Sequence, residues 1–179
     1  MVKLKIAPIN FEDPGFLKEL IPDISKITGF NVLFEDVSLN TEDYYEPRRG
    51  QCDASKILNS IKQNTEMEKV ILFTSVDLFI PIFTFVFGLA KLMGNAAIIS
   101  IHRLKNEFYG LPPNPQLLKQ RLIKETIHEL GHLGGLRHCS DYYCVMASST
   151  NTDELDVKGV EYCSECSNKF FDNLKLLNK

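Results

Sequence analysis

His128-Glu129-Leu130-Gly131-His132-Leu133-Gly134-Gly135-Leu136-Arg137-His138 is the stretch on which the reading of this chain turns. As a pattern it is H-E-x-x-H-x-x-G-x-x-H. Residues four apart on a helix share one face, about one turn from each other, so His128 and His132 can ligate one ion. Glu129 follows the first ligand and can reach a metal-bound water as a general base. Gly135 stands where the helix must stop. Without a Cβ it can take the left-handed conformation and turn the chain back, so that His138 arrives as a third nitrogen ligand. Three protein ligands with one open position describe a catalytic zinc, whereas a structural zinc is closed by four. A bare H-E-x-x-H arises by chance on many helices. The longer pattern fixes five positions, and coincidence falls to roughly one in a million per starting residue at ordinary residue usage.

The helix predicted to carry the motif runs from about Gln116 to Leu136, behind Pro112, Pro113 and Pro115. Leu118, Leu122, Ile123, Ile127 and Leu130 form its apolar side. Met146, eight residues past His138, is either an ordinary core methionine or an apolar floor beneath the metal. Cys139 directly follows the third histidine, Cys144 comes five residues later, and Cys163 and Cys166 form a C-x-x-C opening a terminal helix over about 164–177. Four thiols in two pairs match a closed tetrahedral structural zinc. His138 and Cys139 share one peptide, which puts their Cα atoms about 3.8 Å apart. The four-cysteine site is therefore expected to orient the third histidine and the floor of the open site.

The long zinc motif, Cys139, Cys144, Met146 and the later C-x-x-C together resemble the archaemetzincin family of the metzincin clan. Gln51-Cys52-Asp53-Ala54, Asp77-Leu78, Phe85-Val86-Phe87-Gly88-Leu89-Ala90, Ser100 and Arg103-Leu104 are similar to that family's N-terminal segments. The resemblance implies a zincin-type fold and peptidase activity, with aminopeptidase-like action on short peptides. It implies His128, His132 and His138 on a catalytic zinc, Glu129 as base and Met146 in a Met-turn. Cys139, Cys144, Cys163 and Cys166 would hold a second zinc, making two Zn2+ ions in all. Some metzincins carry a tyrosine two residues after the methionine, where this chain has Ser148. Tyr142, Tyr143 and Tyr162 are chemically able to steady an oxyanion, and each also suits a surface or core role. The intact Glu129 favours turnover. The missing tyrosine leaves open a zinc-containing peptide-binding or regulatory protein with little turnover.

The rest of the chain supplies the frame. Its 179 residues are 44% hydrophobic and 24% charged, the balance of one globular domain. A net charge of −3 offers no electrostatic case for nucleic acid. Strands are predicted over 2–9, 30–37, 69–76 and 96–101, and helices over 14–28 and 53–63. Pro22 requires the first helix to kink or to split in two. The expectation is an α+β chain, a mixed twisted sheet with packed helices, comprising an N-terminal subdomain of about 1–136 and a small C-terminal one of about 137–179. Ala97 to Ile101 is either the edge along which a peptide adds as a strand or a plain core strand. Asp77 and Pro81 inside the apolar stretch Val70 to Ala90 argue against a membrane span. The first nine residues alternate like a strand, not a leader, and an odd Cys count argues against a disulfide framework. The expectation is a cytoplasmic monomer. Cys52 is expected to be a packed thiol, His102 solvated, and Glu42, Asp43 and Glu46 a solvated acidic loop.

Overall fold

The computed structural model describes residues 3–61 and 68–177. Strand β1 (Lys3–Pro8) leads through helices α1 (Pro14–Lys18) and α2 (Ile21–Thr28) to β2 (Asn31–Phe34). The predicted 14–28 helix is thus two helices, with Pro22 in the first turn of α2, where its missing N–H costs nothing. A 3₁₀ turn over Thr41–Tyr44 precedes β3 (Tyr45–Glu46), β4 (Gln51–Asp53) and α3 (Ala54–Ser60). Asp53 caps α3 by accepting from the amides of Ser55 and Lys56. Positions 62 and 63 of the predicted helix, and position 2 of the first strand, lie outside the described residues. Then come β5 (Glu68–Thr74), β6 (Leu78–Phe79), β7 (Gly88–Ala90) and β8 (Ala96–Ser100). The long helix α4 (Pro115–Leu133), short α5 (Thr152–Val157) and terminal α6 (Ser164–Leu177) complete the chain.

The main sheet has the order β2-β1-β5-β8-β7. Its strands are parallel except β7, which runs antiparallel to β8. The apolar run of β5 reads as it does because both faces are covered. Ile71 and Phe73 face α4, α2 and the C-terminal part. Val70 and Leu72 face Ile57 and Leu58 of α3. β8 sits between β5 and β7, so Ala97 to Ile101 is core. The edge on that side of the sheet is β7, a three-residue strand beside α4.

The charge inside the apolar stretch 70–90 has a tertiary explanation. Asp77 is buried, and Arg103 donates to both its oxygens, Nε to Oδ1 and Nη2 to Oδ2 at 2.8 Å each. Gln51 Nε2 adds a third donor at 2.9 Å. That stretch divides into β5, β6, β7 and turns, and among the described residues no helix is long and apolar enough to cross a membrane. Asp77→Ala is expected to destabilise the chain by about 2 kcal/mol, since it leaves the part-buried Arg103 guanidinium unpaired. Chemical denaturation with unchanged slope checks this.

Beyond α4 the chain returns to the same core. Val145, Met146, Leu155, Phe170 and Leu174 pack with Leu122, Ile127 and Leu130 of α4. Phe170 and Leu174, four apart on α6, point inward, but Phe171 is rotated off that face and stays 46% exposed. The side chain of Leu177 lies outside the described residues.

Candidate metal centre and active-site cleft

α4 starts at Asn114, whose side chain accepts the Leu117 amide at 3.0 Å, with Pro115 in first position. It ends at Leu133, three residues earlier than predicted. Gly134 closes it, Gly135 takes φ 85°, and Leu136 N–H reaches back to Gly131 O at 2.8 Å. That left-handed turn carries the chain from His132 to His138.

The ring geometry identifies which nitrogens are free. His128 Nδ1 lies 2.8 Å from Val145 O, and His132 Nδ1 lies 2.8 Å from Leu136 O. A carbonyl only accepts, so both protons are on Nδ1 and both Nε2 atoms carry lone pairs. Those two Nε2 atoms are 3.2 Å apart, and the ligand atoms of His128, His132 and His138 all lie within 4.8 Å of one another. Converging lone pairs repel unless a cation lies between them. Burial pushes the His128 imidazole well below its ordinary pKa, with the Lys158 charge adding to the effect. Burial lowers His132 and His138 too. All three are held as neutral rings, the form that ligates a metal.

Glu129 is 3% exposed, and its Oε2 is buried with no hydrogen-bond partner. Burial first, then the neighbouring Glu125 carboxylate, push its carboxyl well above the usual range. The side chain lies over Gly88 of β7, where a Cβ would stand 2.5 Å from Oε1. With Glu129 as the expected general base, Gly88→Ala should displace the carboxylate and lower kcat by roughly ten- to a hundredfold. The backbone at position 88 suits any residue, so circular dichroism should be unchanged while the kinetics fall.

Cys139, Cys144, Cys163 and Cys166 form the second group, again with ligand atoms within 4.8 Å of one another. None is in a disulfide. Cys139 Sγ and Cys163 Sγ are 3.9 Å apart. Tetrahedral ligands at zinc–sulfur distances of 2.3 Å stand about 3.8 Å apart. Cys144 Sγ accepts the amides of Met146 at 3.4 Å and Cys163 at 3.3 Å, the donor pattern that suits a thiolate. Both groups fit a zinc ion.

Met146 is fully buried, with Sδ against Gly131 of α4. Its carbonyl accepts the Cys139 amide at 2.9 Å. A cavity of about 480 Å³ opens over the three histidines, with Phe83 to Ala90 on one side and Ser148, Ser149 and Thr150 among the residues on the other.

Several candidates lie elsewhere. Tyr142 and Tyr143 are exposed, and Tyr162 is half-buried, its hydroxyl donating to Ile127 O at 2.8 Å. None of the three lines the cavity. His102 packs edge-on against Phe108. Cys52 is a packed thiol donating to Thr41 O at 3.4 Å, and Glu42 and Asp43 are exposed in the 3₁₀ turn. Cleft residues that sequence reasoning passed over are Gly88, Glu125, Ser149 and Lys158. Only Glu125 carried a signal, its i, i+4 relation to Glu129 on the active-site helix.

Residues 28–171 match the sequence profile of peptidase family M54. The chain belongs to this family. Like the relatives it resembles, this M54 peptidase is a zinc metallopeptidase, a hydrolase whose substrates are peptides. An archaemetzincin from Methanocaldococcus jannaschii is 37% identical over 172 residues, covering 96% of this chain and 94% of its own. The crystal structure of archaemetzincin from Methanopyrus kandleri matches with a TM-score of 0.83 at 33% identity, covering 97% of this chain and 96% of that one. The Archaeoglobus fulgidus archaemetzincin, crystallised with malonate, matches with a TM-score of 0.80 at 31% identity, over 94% and 99% of the two chains. The α+β zincin-like fold inferred for the M54 chain is the fold it has.

Proposed function

We propose that this zinc peptidase uses Glu129 as its proton carrier and His128, His132 and His138 as ligands of the catalytic ion. Cys139, Cys144, Cys163 and Cys166 hold a second, structural zinc, making two ions per chain, and Met146 is the Met-turn. The observation that carries the reading is the buried, unpartnered Glu129 Oε2 beside histidines whose Nε2 lone pairs converge. When bound, zinc supplies a Lewis acid that polarises the scissile carbonyl and acidifies water.

Glu129 accepts the proton of the attacking water and delivers it to the leaving amine. Burial raises the proton affinity of this carboxylate, which suits a group that must take up the proton and hold it between those two steps. The bonds from His128 to Val145 O and from His132 to Leu136 O set tautomer and ring orientation. Phe87 O and Lys91 N turn towards β8, so strand alternation aims the amide groups of Gly88 and Ala90 at the cleft. An extended peptide adds there as a further strand.

A cavity of about 480 Å³ holds only a few residues, which favours short peptides. A preference for a free amino terminus follows from the archaemetzincin resemblance. Residues 1–136 and 137–179 act as the larger and smaller parts of one catalytic domain, a monomer working in the cytoplasm. The test compares zinc-loaded and chelated protein on matched short peptides with free and acetylated amino termini. Cleavage should vanish on chelation, return with zinc, and favour the free peptides. Equal rates on acetylated peptides would remove the aminopeptidase assignment.

A further inference from the structure

Behind His128 the cleft has a polar floor that proton transfer by Glu129 does not use. Glu125 lies one turn before Glu129 on α4, and Lys158 directly follows α5. Their side chains are 5% and 1% exposed, yet both line the cavity. Lys158 Nζ donates to Ala147 O at 3.2 Å and to Glu125 Oε1 at 3.4 Å. Its remaining neighbour, His128 Nδ1 at 3.5 Å, cannot accept, because that nitrogen's proton already goes to Val145 O. An ammonium has three donors, so one is left over. Ser149 lines the same cavity with a buried hydroxyl that has no partner. A lysine kept only for packing would be replaced at less cost by an apolar side chain, because one long carboxylate contact poorly offsets the loss of water.

We propose that this floor is a carboxylate-binding subsite that selects peptides with an Asp or Glu side chain next to the scissile bond. The assignment rests on the peptidase reading above. The incoming carboxylate accepts from Lys158 and from the Ser149 hydroxyl, both bonds being charge-assisted. Lys158 touches the far nitrogen of His128, one imidazole ring away from the nitrogen that faces the metal. A side chain reaching that depth belongs to a residue flanking the bond that is cut. The isosteric amide of Gln keeps one acceptor oxygen, but its NH2 group meets the second donor, and it is disfavoured on those grounds. Glu125 competes with the substrate for the same ammonium and moderates the preference.

The test uses peptides of one common sequence carrying Glu, Gln, Leu or Lys at each of the two flanking positions. Two readouts are taken: kcat/KM with the zinc-loaded wild type, and Kd by calorimetry with Glu129→Gln. At one flanking position Glu should be preferred over Gln by at least about tenfold in both readouts. Lys158→Gln should bring that ratio to about one, and Glu125→Gln should raise it, by the charge argument above. A merely structural pair would move the ratio the same way in both variants. Ser149→Ala, on the wall of the cavity, should lower the ratio severalfold, and it serves if a floor variant fails to fold. A wild-type preference for Gln, Leu or Lys, or floor variants that shift together, would overturn the subsite. Peptides bound with the expected preference but left uncut by the wild type would keep the subsite and overturn the Glu129 reading instead.

Discussion

Glu129→Gln is expected to lose about 10²–10⁴-fold in kcat, with KM and zinc content little changed. The amide has nearly the shape of the carboxylate, so it fits over Gly88 as the native side chain does. What it cannot do is accept a proton. His128, His132 and His138 keep their bonds to Val145 and Leu136 because Glu129 makes none of them. A further readout separates chemistry from folding. The native carboxylate is buried with an unpartnered oxygen, close to a second buried carboxylate that raises its pKa. Replacing it by a neutral group should therefore hold or raise the thermal midpoint while activity collapses, the usual exchange between stability and function at an active site. Steady-state kinetics, metal analysis and thermal unfolding on the same preparation decide the matter. A variant that retains activity within about tenfold of wild type would remove Glu129 from the proton-transfer role.

The parts of the site that could be read in advance are those set by local periodicity or close spacing. His128 and His132 share a helix face by the helical repeat alone. Gly135 marks the turn because its conformation excludes a side chain, and the cysteines pair by spacing within a short segment. β5 and β8 showed themselves as apolar runs, and β1 as an alternation of polar and apolar residues. What stayed hidden was decided by pairing at long range. β7 is three residues long and exists because β8 lies beside it, so no periodicity announces it. Without β7, the choice between edge and core for Ala97 to Ile101 had no basis. Asp77 was visible as a charge in an apolar run, but Arg103, 26 residues away, is brought to it only by the tertiary fold. Lys158 carried no signal at all. Its meaning comes from the 30 residues that separate it from His128 being folded back across α4.

With two zinc ions bound as proposed, replacing Cys163 and Cys166 together by serine is expected to cost the chain both metals, not one. The two groups are joined by a short path of hydrogen bonds. Cys163 and Met146 donate their amides to Cys144 Sγ. Met146 O accepts from Cys139, the residue bonded to His138. Val145, between Cys144 and Met146, supplies the carbonyl that orients His128. Loss of the thiolate cluster therefore loosens the segment that places two of the three histidines and the apolar floor beneath them. Groups that orient metal ligands are worth about 10–100-fold in affinity or activity, and a structural zinc holds its own segment folded. Hydrolysis should fall by at least about a hundredfold, and bound zinc should drop from two ions towards none at chelator concentrations that the wild type withstands. Hydrogen exchange should rise most between Cys139 and Cys166 and least in β1, β5 and β8, which keep their strand pairing and their cover by α3. If the double variant instead keeps one zinc and full hydrolysis, the two sites are independent, and the shared peptide of His138 and Cys139 transmits nothing.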